Sequence, residues 1–139
     1  MTPMIKSRIA LAAAASTVLA STGAACRAEA ATPADLLAGY AAHSARAPDA
    51  EQGRSFFATP HGRDWSCATC HGVNPVAEGR HAATGKPILP LAPGANPTRF
   101  MDLDKAEKWF RRNCRDVVGR TCTDAEKADV LAWLITLKP

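Results

Sequence analysis

A C-x-x-C-H run at residues 67–71 constrains this chain more than any other feature of its sequence. Two residues separate the thiols of Cys67 and Cys70, and the imidazole of His71 follows directly. In c-type haem attachment the two thiols add across the haem vinyl groups, and the adjacent histidine ligates the iron. The run therefore predicts one covalent haem c, with His71 as the proximal iron ligand.

Two other chemistries use a C-x-x-C pair. A thioredoxin-like redox site is expected near a βαβ pattern, and the sequence contains no convincing strand. A zinc site needs two further ligands, but the remaining downstream cysteines lie far away and are separated from each other by seven residues. The histidine that follows the second cysteine favours haem over both alternatives.

The first thirty residues are typical of an export signal. Lys6 and Arg8 form a basic region, residues 9–20 form an apolar run, and an Ala-Glu-Ala cleavage site ends at Ala30. The run is too short for a permanent membrane anchor. We therefore expect a signal peptide at 1–30, cleaved near Ala30, and one periplasmic domain at 31–139 that is not an integral membrane protein.

Cleavage also changes the cysteine count. Cys26 leaves with the signal peptide, so four of the five cysteines remain, and two of these are assigned to haem. Cys114 and Cys122 are then free to form a disulfide, which an oxidising periplasm permits. A lipidated N-terminus at Cys26 is the alternative, although the preceding Gly-Ala-Ala lacks the leucine usual at such sites.

Charge and periodicity indicate an all-α domain that does not bind nucleic acid. Without the signal peptide the formal net charge falls from +4 to +2, because three basic residues and one acidic residue are lost. Caps and apolar spacing predict helices at about 32–47, 49–58, 102–118 and 123–137. Residues 72–100 are rich in proline and glycine, so we expect an irregular loop that packs around the haem.

Three segments resemble class I cytochromes c: residues 53–57 (Gly-Arg-Ser-Phe-Phe), the C-x-x-C-H run, and residues 131–138. In that family the N- and C-terminal helices cross, with a small residue such as Gly53 letting an aromatic residue such as Trp133 approach. The resemblance implies an all-α, class I cytochrome c-like fold with crossing terminal helices around one covalent haem.

A narrower resemblance covers residues 99–138. The segments that carry it are Arg99-Phe100, the run from Glu107 to Cys114, Gly119-Arg120 and Cys122. They are similar to the sphaeroides haem protein family, which are oxygen-binding monohaem cytochromes c with an asparagine axial ligand and a nearby disulfide. The resemblance implies a diatomic gas ligand and a redox partner, with a dihaem cytochrome c and a membrane cytochrome b as the candidates.

The distal iron ligand decides between two functions. Met101 would make the protein a plain electron-transfer cytochrome c, but it precedes the penultimate helix, whereas the region 113–122, where such a methionine is expected, contains no Met, His or Lys. Asn113 lies on the apolar side of that helix, where an amide needs a partner, although an asparagine there can also serve as a helix cap. Three further residues carry side chains that can ligate iron: His61, His81 and Lys86.

Asn113 implies a redox-dependent iron site. An amide oxygen is a hard, weak ligand that suits ferric iron better than the softer ferrous iron. We therefore expect Asn113 to leave the iron on reduction and to open a position for O₂ or NO. The sequence leaves oxygen reduction, nitric oxide oxidation and gas sensing open as the use of that position.

Overall fold

Residues 31–62 and 64–139 are described by the computed structural model. The elements in chain order are α1 (Pro33–Ala42), α2 (Ala50–Ala58), α3 (Cys67–His71), β1 (Gly79–Arg80), β2 (Pro87–Ile88), α4 (Leu103–Val117) and α5 (Asp124–Thr136). The predicted signal peptide at 1–30, which includes Cys26, lies outside the described residues. Within these two ranges, no helix has both the length and the apolar character needed to cross a bilayer.

Side-chain caps begin the helices where the sequence predicts them. Thr32 forms a capping box with Asp35 at the start of α1, and Thr123 forms one with Glu126 at the start of α5. The side chain of Asp102 accepts a backbone hydrogen bond in the first turn of α4. These contacts are local, which explains why the starts of these helices agree with their predictions to within one or two residues.

Two local predictions are wrong. α1 ends at Ala42 instead of continuing to about residue 47, and the chain after it runs toward α5, where Arg46 pairs with Asp129. The segment 72–100 is not wholly irregular, because β1 and β2 form an antiparallel pair with Gly79 opposite Ile88. Both differences arise from contacts that helix periodicity does not describe.

α5 is the centre of the fold, since α1 and α2 both pack against it and its residues 127–131 are all buried. Two apolar clusters adjoin it: Leu36, Tyr40, Ala106, Ala128 and Leu131 in one, and Phe57, Val130, Trp133 and Leu134 in the other. Phe100 and Phe110 pack against both clusters. α4 is attached along one side only, because Ala106 and Cys114 are its buried residues.

α2 crosses α5 at Gly53. A Cβ atom at this position would lie 1.9 Å from the carbonyl oxygen of Asp129 and 2.7 Å from the backbone nitrogen of Val130. Glycine therefore lets the two backbones touch, which no larger residue allows. One turn further along both helices, Trp133 packs on Phe57 with 5.0 Å between ring centroids. The all-α fold with crossing helices is as predicted.

Candidate haem-binding site

The C-x-x-C-H run forms the single helical turn α3. Ser66 precedes this turn and donates its backbone N–H to Oγ1 of Thr69 at 2.9 Å, and Gly72 ends it with a φ of 75°. The thiols of Cys67 and Cys70 are free and half-buried. Residues three apart lie on the same side of a helix. The turn therefore presents both thiols to one group, as two thioether bonds to a haem require.

The environment of Cys67 differs from that of a redox-active thiol, and the downstream cysteines are not available to complete a zinc site. Burial raises the pKa of Cys67 to about 11, whereas a redox-active thiol has a lowered pKa. Cys114 and Cys122 are bonded to each other, so they do not supply further ligands for zinc. No three His, Cys, Asp or Glu side chains of residues 31–62 and 64–139 are grouped to hold a metal ion. These observations favour haem attachment.

His71 is a neutral imidazole at neutral pH. Burial lowers the pKa of His71 to about 4, and the guanidinium of Arg99 acts in the same direction. The ring of Phe57 lies 6.2 Å from the imidazole ring, between centroids. Because a metal-ligating histidine must be unprotonated, this environment fits the predicted role of proximal iron ligand.

The proline-rich loop packs directly on α3. A Cβ atom at Gly79 would lie 2.3 Å from the carbonyl oxygen of Cys70 and 2.9 Å from the Cα of His71. The backbone N–H of Ala82 donates to Sγ of Cys70 at 3.3 Å. The loop therefore adjoins the residues that would hold the haem.

Arg99 fastens this loop beside the motif. Its guanidinium donates to the carbonyl of Leu89 at 2.9 Å and to that of Pro90 at 3.0 Å, and the side-chain amide of Asn96 also donates to Pro90, at 3.2 Å. Burial lowers the pKa of Arg99. The sequence does not reveal this role, because the acceptors are backbone carbonyls that carry no residue-specific pattern.

The chain turns sharply at Phe100, just before α4. This residue has a φ of 62°, and it is the one non-glycine residue with positive φ in the described part of the chain. Such a conformation is strained for an aromatic residue and persists only where packing holds it. Its ring lies 6.4 Å from that of Phe110, between centroids, so the turn is held by the apolar side of α4.

Met101 and Asn113, the two main candidates for the distal ligand, lie at different places. Met101 is exposed in the turn before α4. Asn113 lies roughly 15 Å along the helix axis from Leu103, given a rise of about 1.5 Å per residue. The two candidates therefore place the distal ligand at different positions along the chain. Substituting each residue in turn shows which of them ligates the iron.

Asn113 is exposed, which corrects the expectation that its amide is buried among apolar residues. Asn113 leaves α4 in nearly the same direction as Ala106, seven residues earlier, but the described chain covers the helix at Ala106 and leaves it uncovered at Asn113. Trp109 is also exposed, and it lies one turn before Asn113. No side-chain hydrogen bond of Asn113 is found among the described residues. An apolar ring and an amide oxygen one turn apart are chemically suited to a haem and its iron.

The two histidine alternatives are engaged with the backbone. The Nε2 atom of His61 lies 2.8 Å from the carbonyl oxygen of Phe56, and the two rings lie 4.1 Å apart between centroids with a tilt of 38°. Nδ1 of His81 accepts the backbone N–H of Thr84 at 3.2 Å. Lys86 is exposed on the connection between β1 and β2. These contacts give the imidazoles local partners and weaken the case for either as a distal ligand.

The disulfide between Cys114 and Cys122 is present in the structure. Its Cα atoms are 5.7 Å apart, within the usual range, and both residues are buried. It joins the last turn of α4 to the segment before α5. Since Asn113 directly precedes Cys114, the covalent link holds the backbone one residue from the candidate ligand.

An all-α fold with α2 crossing α5, and a C-x-x-C-H turn packed beneath a proline-rich loop, defines a c-type cytochrome. Its cofactor is a c-type haem. The chain belongs to the family described as Domain of unknown function (DUF1924), whose model matches residues 43–134. It is 48% identical over 112 residues to cytochrome c-type protein SHP of Cereibacter sphaeroides. The aligned region covers 74% of this chain and 82% of that protein.

A second relative is cytochrome c'' of Methylophilus methylotrophus, 44% identical over 103 residues, or 68% of this chain and 72% of that protein. The structure of oxidised SHP, described as an oxygen-binding cytochrome c, matches with a TM-score of 0.73 and 47% identity over 78% of this chain and 100% of that one. The solution structure of cytochrome c'' matches with a TM-score of 0.66 and 40% identity, over 77% of this chain and 94% of that one. That structure is described as giving insight into the structural basis of haem-ligand detachment. The resemblance to the sphaeroides haem protein family is confirmed.

Proposed function

We propose that this chain is a periplasmic monohaem cytochrome c that accepts electrons and binds a diatomic gas, O₂ or NO. Cys67 and Cys70 would hold the haem covalently, and His71 would ligate the iron from one side. When bound, the iron supplies a redox centre and a sixth coordination position. The observation that carries the proposal is the 48% identity to SHP, whose structure is described as that of an oxygen-binding cytochrome c.

Asn113 would supply the distal ligand through its side-chain oxygen. Its exposure on α4 and the lack of a described hydrogen bond leave that oxygen able to accept another partner. The oxygen would bind ferric iron and would leave ferrous iron, since hard ligands prefer the more highly charged ion. The description of cytochrome c'' in terms of haem-ligand detachment supports a ligand that leaves.

The disulfide would keep the released side chain close to its ligating position. It ties Cys114, the next residue along, to Cys122 before α5. The side chain of Asn113 can then change rotamer while its backbone stays in place. A ligand tethered in this way rebinds quickly after oxidation, because it has little conformational freedom to lose.

The proposed compartment and partner follow from the same chemistry. A signal peptide cleaved near Ala30 would deliver the chain to the periplasm, and disulfides such as Cys114–Cys122 persist in such oxidising compartments. Gas binding at reduced iron needs an electron donor. A dihaem cytochrome c fed by a membrane cytochrome b is the proposed source.

Replacing Asn113 by alanine should open the ferric site to small anions. We expect azide to bind the ferric variant about tenfold to a hundredfold more tightly than the ferric wild type. This is the gain expected if Asn113 occupies the sixth coordination position in about 90–99% of wild-type molecules. Haem attachment should be unchanged, because Cys67, Cys70 and His71 are untouched. Azide titration followed by absorption spectroscopy measures the effect.

Met101→Ala is the matched control, since Met101 is also exposed and lies just before the same helix. It should change neither the azide affinity nor the spectrum. If Met101→Ala removes the sixth ligand while Asn113→Ala keeps it, the gas-binding proposal is wrong. The protein would then be a plain electron-transfer cytochrome c.

A further inference from the structure

A buried lysine ties α4 to α5. The side chain of Lys127 is only 8% exposed, and its Nζ lies 3.1 Å and 3.3 Å from the two carboxylate oxygens of Glu107 on α4. The same Nζ lies 3.0 Å from Oδ1 of Asp124. Tyr40 of α1 donates its hydroxyl to Oε2 of Glu107 at 2.8 Å, and its ring lies 4.6 Å from Nζ. Three helices therefore meet at one charged cluster.

Lys127 depends on the other members of this cluster because its side chain is withdrawn from water, whereas those of Glu107 and Asp124 are 41% and 37% exposed. A buried ammonium group is stable only when it is paired and hydrogen-bonded. Burial and the carboxylate of Glu107 raise the pKa of Tyr40, so its hydroxyl stays a donor. Loss of the Glu107 charge would leave Lys127 with Asp124 as its one carboxylate partner in the cluster.

Glu107 and Cys114 are two attachment points on the same side of α4. They lie seven residues apart, close to two full turns, so their side chains leave the helix in nearly the same direction. The first is held through Lys127 of α5 and the second by the disulfide to Cys122. One attachment would let the helix rotate and tilt, whereas two along one side fix its rotation about its own axis.

The rotation of α4 determines where the amide of Asn113 lies. This residue is next to Cys114 and therefore projects about 100° around the helix from the attached side. Phe110 also packs on both core clusters, so the ion pair of Glu107 shares the restraint of the helix with this apolar contact and with the disulfide. A small rotation of the helix would displace the amide sideways while leaving the disulfide intact.

We propose that Glu107 is a positioning residue for Asn113, acting through its ion pair with Lys127. The pair fixes the rotation of α4 and so sets the fraction of ferric protein in which Asn113 ligates the iron. This inference rests on the proposed function of Asn113. Weakening the pair lets α4 rotate, lowers that fraction and lets an external anion compete more effectively.

The test compares Glu107→Gln with Arg46→Gln in the ferric holoprotein. Each variant leaves a buried charge on α5 with fewer partners: Lys127 keeps Asp124, and Asp129 keeps the backbone N–H of Asp49 at 2.8 Å. Arg46 lies between α1 and α2 and pairs with α5, so it is a control for general destabilisation. The measurements are azide affinity, the ferric absorption spectrum and the midpoint of thermal unfolding.

We expect Glu107→Gln to raise azide affinity about tenfold, within the range by which residues outside a site modulate binding. Its ferric spectrum should shift toward that of Asn113→Ala. Arg46→Gln should lower the unfolding midpoint and leave azide affinity and spectrum unchanged. Tyr40→Phe removes only the hydroxyl donor to Glu107, so it should act in the same direction more weakly if Glu107→Gln does not fold.

The same comparison in the Asn113→Ala background separates the possible failures. If Glu107 acts through Asn113, its substitution should no longer change azide affinity there. An unchanged effect in that background, or an equal effect from Arg46→Gln, would make the role of Glu107 purely structural and overturn the inference. If Asn113→Ala alone leaves azide affinity as in the wild type, the proposed function fails, and the inference fails with it.

Discussion

Replacing Gly53 by alanine is expected to lower the free energy of unfolding by about 3 kcal/mol or more. The added Cβ would lie 1.9 Å from the carbonyl oxygen of Asp129, and both nearest groups belong to the backbone of α5, so no side chain can move aside. The helices α2 and α5 must separate, which disturbs the packing of Phe57 on Trp133. A loss of this size is a large part of the stability of a small domain.

Gly39→Ala is the matched control for this prediction. Gly39 is also a helical glycine, but apart from its own turn of helix no heavy atom would lie within 4 Å of an added Cβ. The same substitution should therefore stabilise α1 by about 0.5–1 kcal/mol, through the higher helix propensity of alanine. Denaturant unfolding followed by circular dichroism measures both variants. Equal midpoints for Gly53→Ala and the wild type would contradict the close crossing of the two helices.

Replacing both Cys67 and Cys70 by alanine is expected to abolish covalent haem attachment. These are the free cysteines in the described part of the chain, and α3 presents both on one side. The intact mass of the exported wild type should equal the chain cleaved near Ala30 plus one haem. The double variant should show the mass of the polypeptide alone.

The double variant Cys114→Ala with Cys122→Ala provides the comparison. It removes the disulfide but leaves α3 unchanged, so one haem should stay attached. The unfolded chain is no longer constrained by the Cys114–Cys122 cross-link, so the free energy of unfolding should fall by about 2–4 kcal/mol. A wild-type mass without haem, or a haem retained covalently by the Cys67/Cys70 variant, would show that the motif has another use.

Local features of this protein were predictable from its sequence. The capping boxes at Thr32 and Thr123 involve residues three positions apart, so the chain itself encodes them. The C-x-x-C-H turn and the disulfide partners followed from spacing and cysteine count. The end of α1 did not, because it depends on Arg46 reaching Asp129, which is 83 residues away.

The charged residues of the core were harder to predict. The apolar residues of α5 predicted a buried helix. The burial of Lys127 and Asp129 on the same helix was not predicted. A helix buried on most sides must bury any charge it carries, and this was the available signal. Their partners Glu107 and Arg46 lie in other elements, and no sequence pattern joins them. The exposure of Asn113 likewise depends on how far along α4 the rest of the chain covers the side that buries Ala106.

The proposed function requires the sixth coordination position of the iron to open on reduction. The absorption spectra of the purified wild-type protein, ferric and ferrous, with and without CO, report on this position. We expect six-coordinate iron in the oxidised protein and five-coordinate, high-spin iron that binds CO in the reduced protein. Six-coordinate, low-spin iron in both states, with a ferrous spectrum that CO does not change, would contradict it.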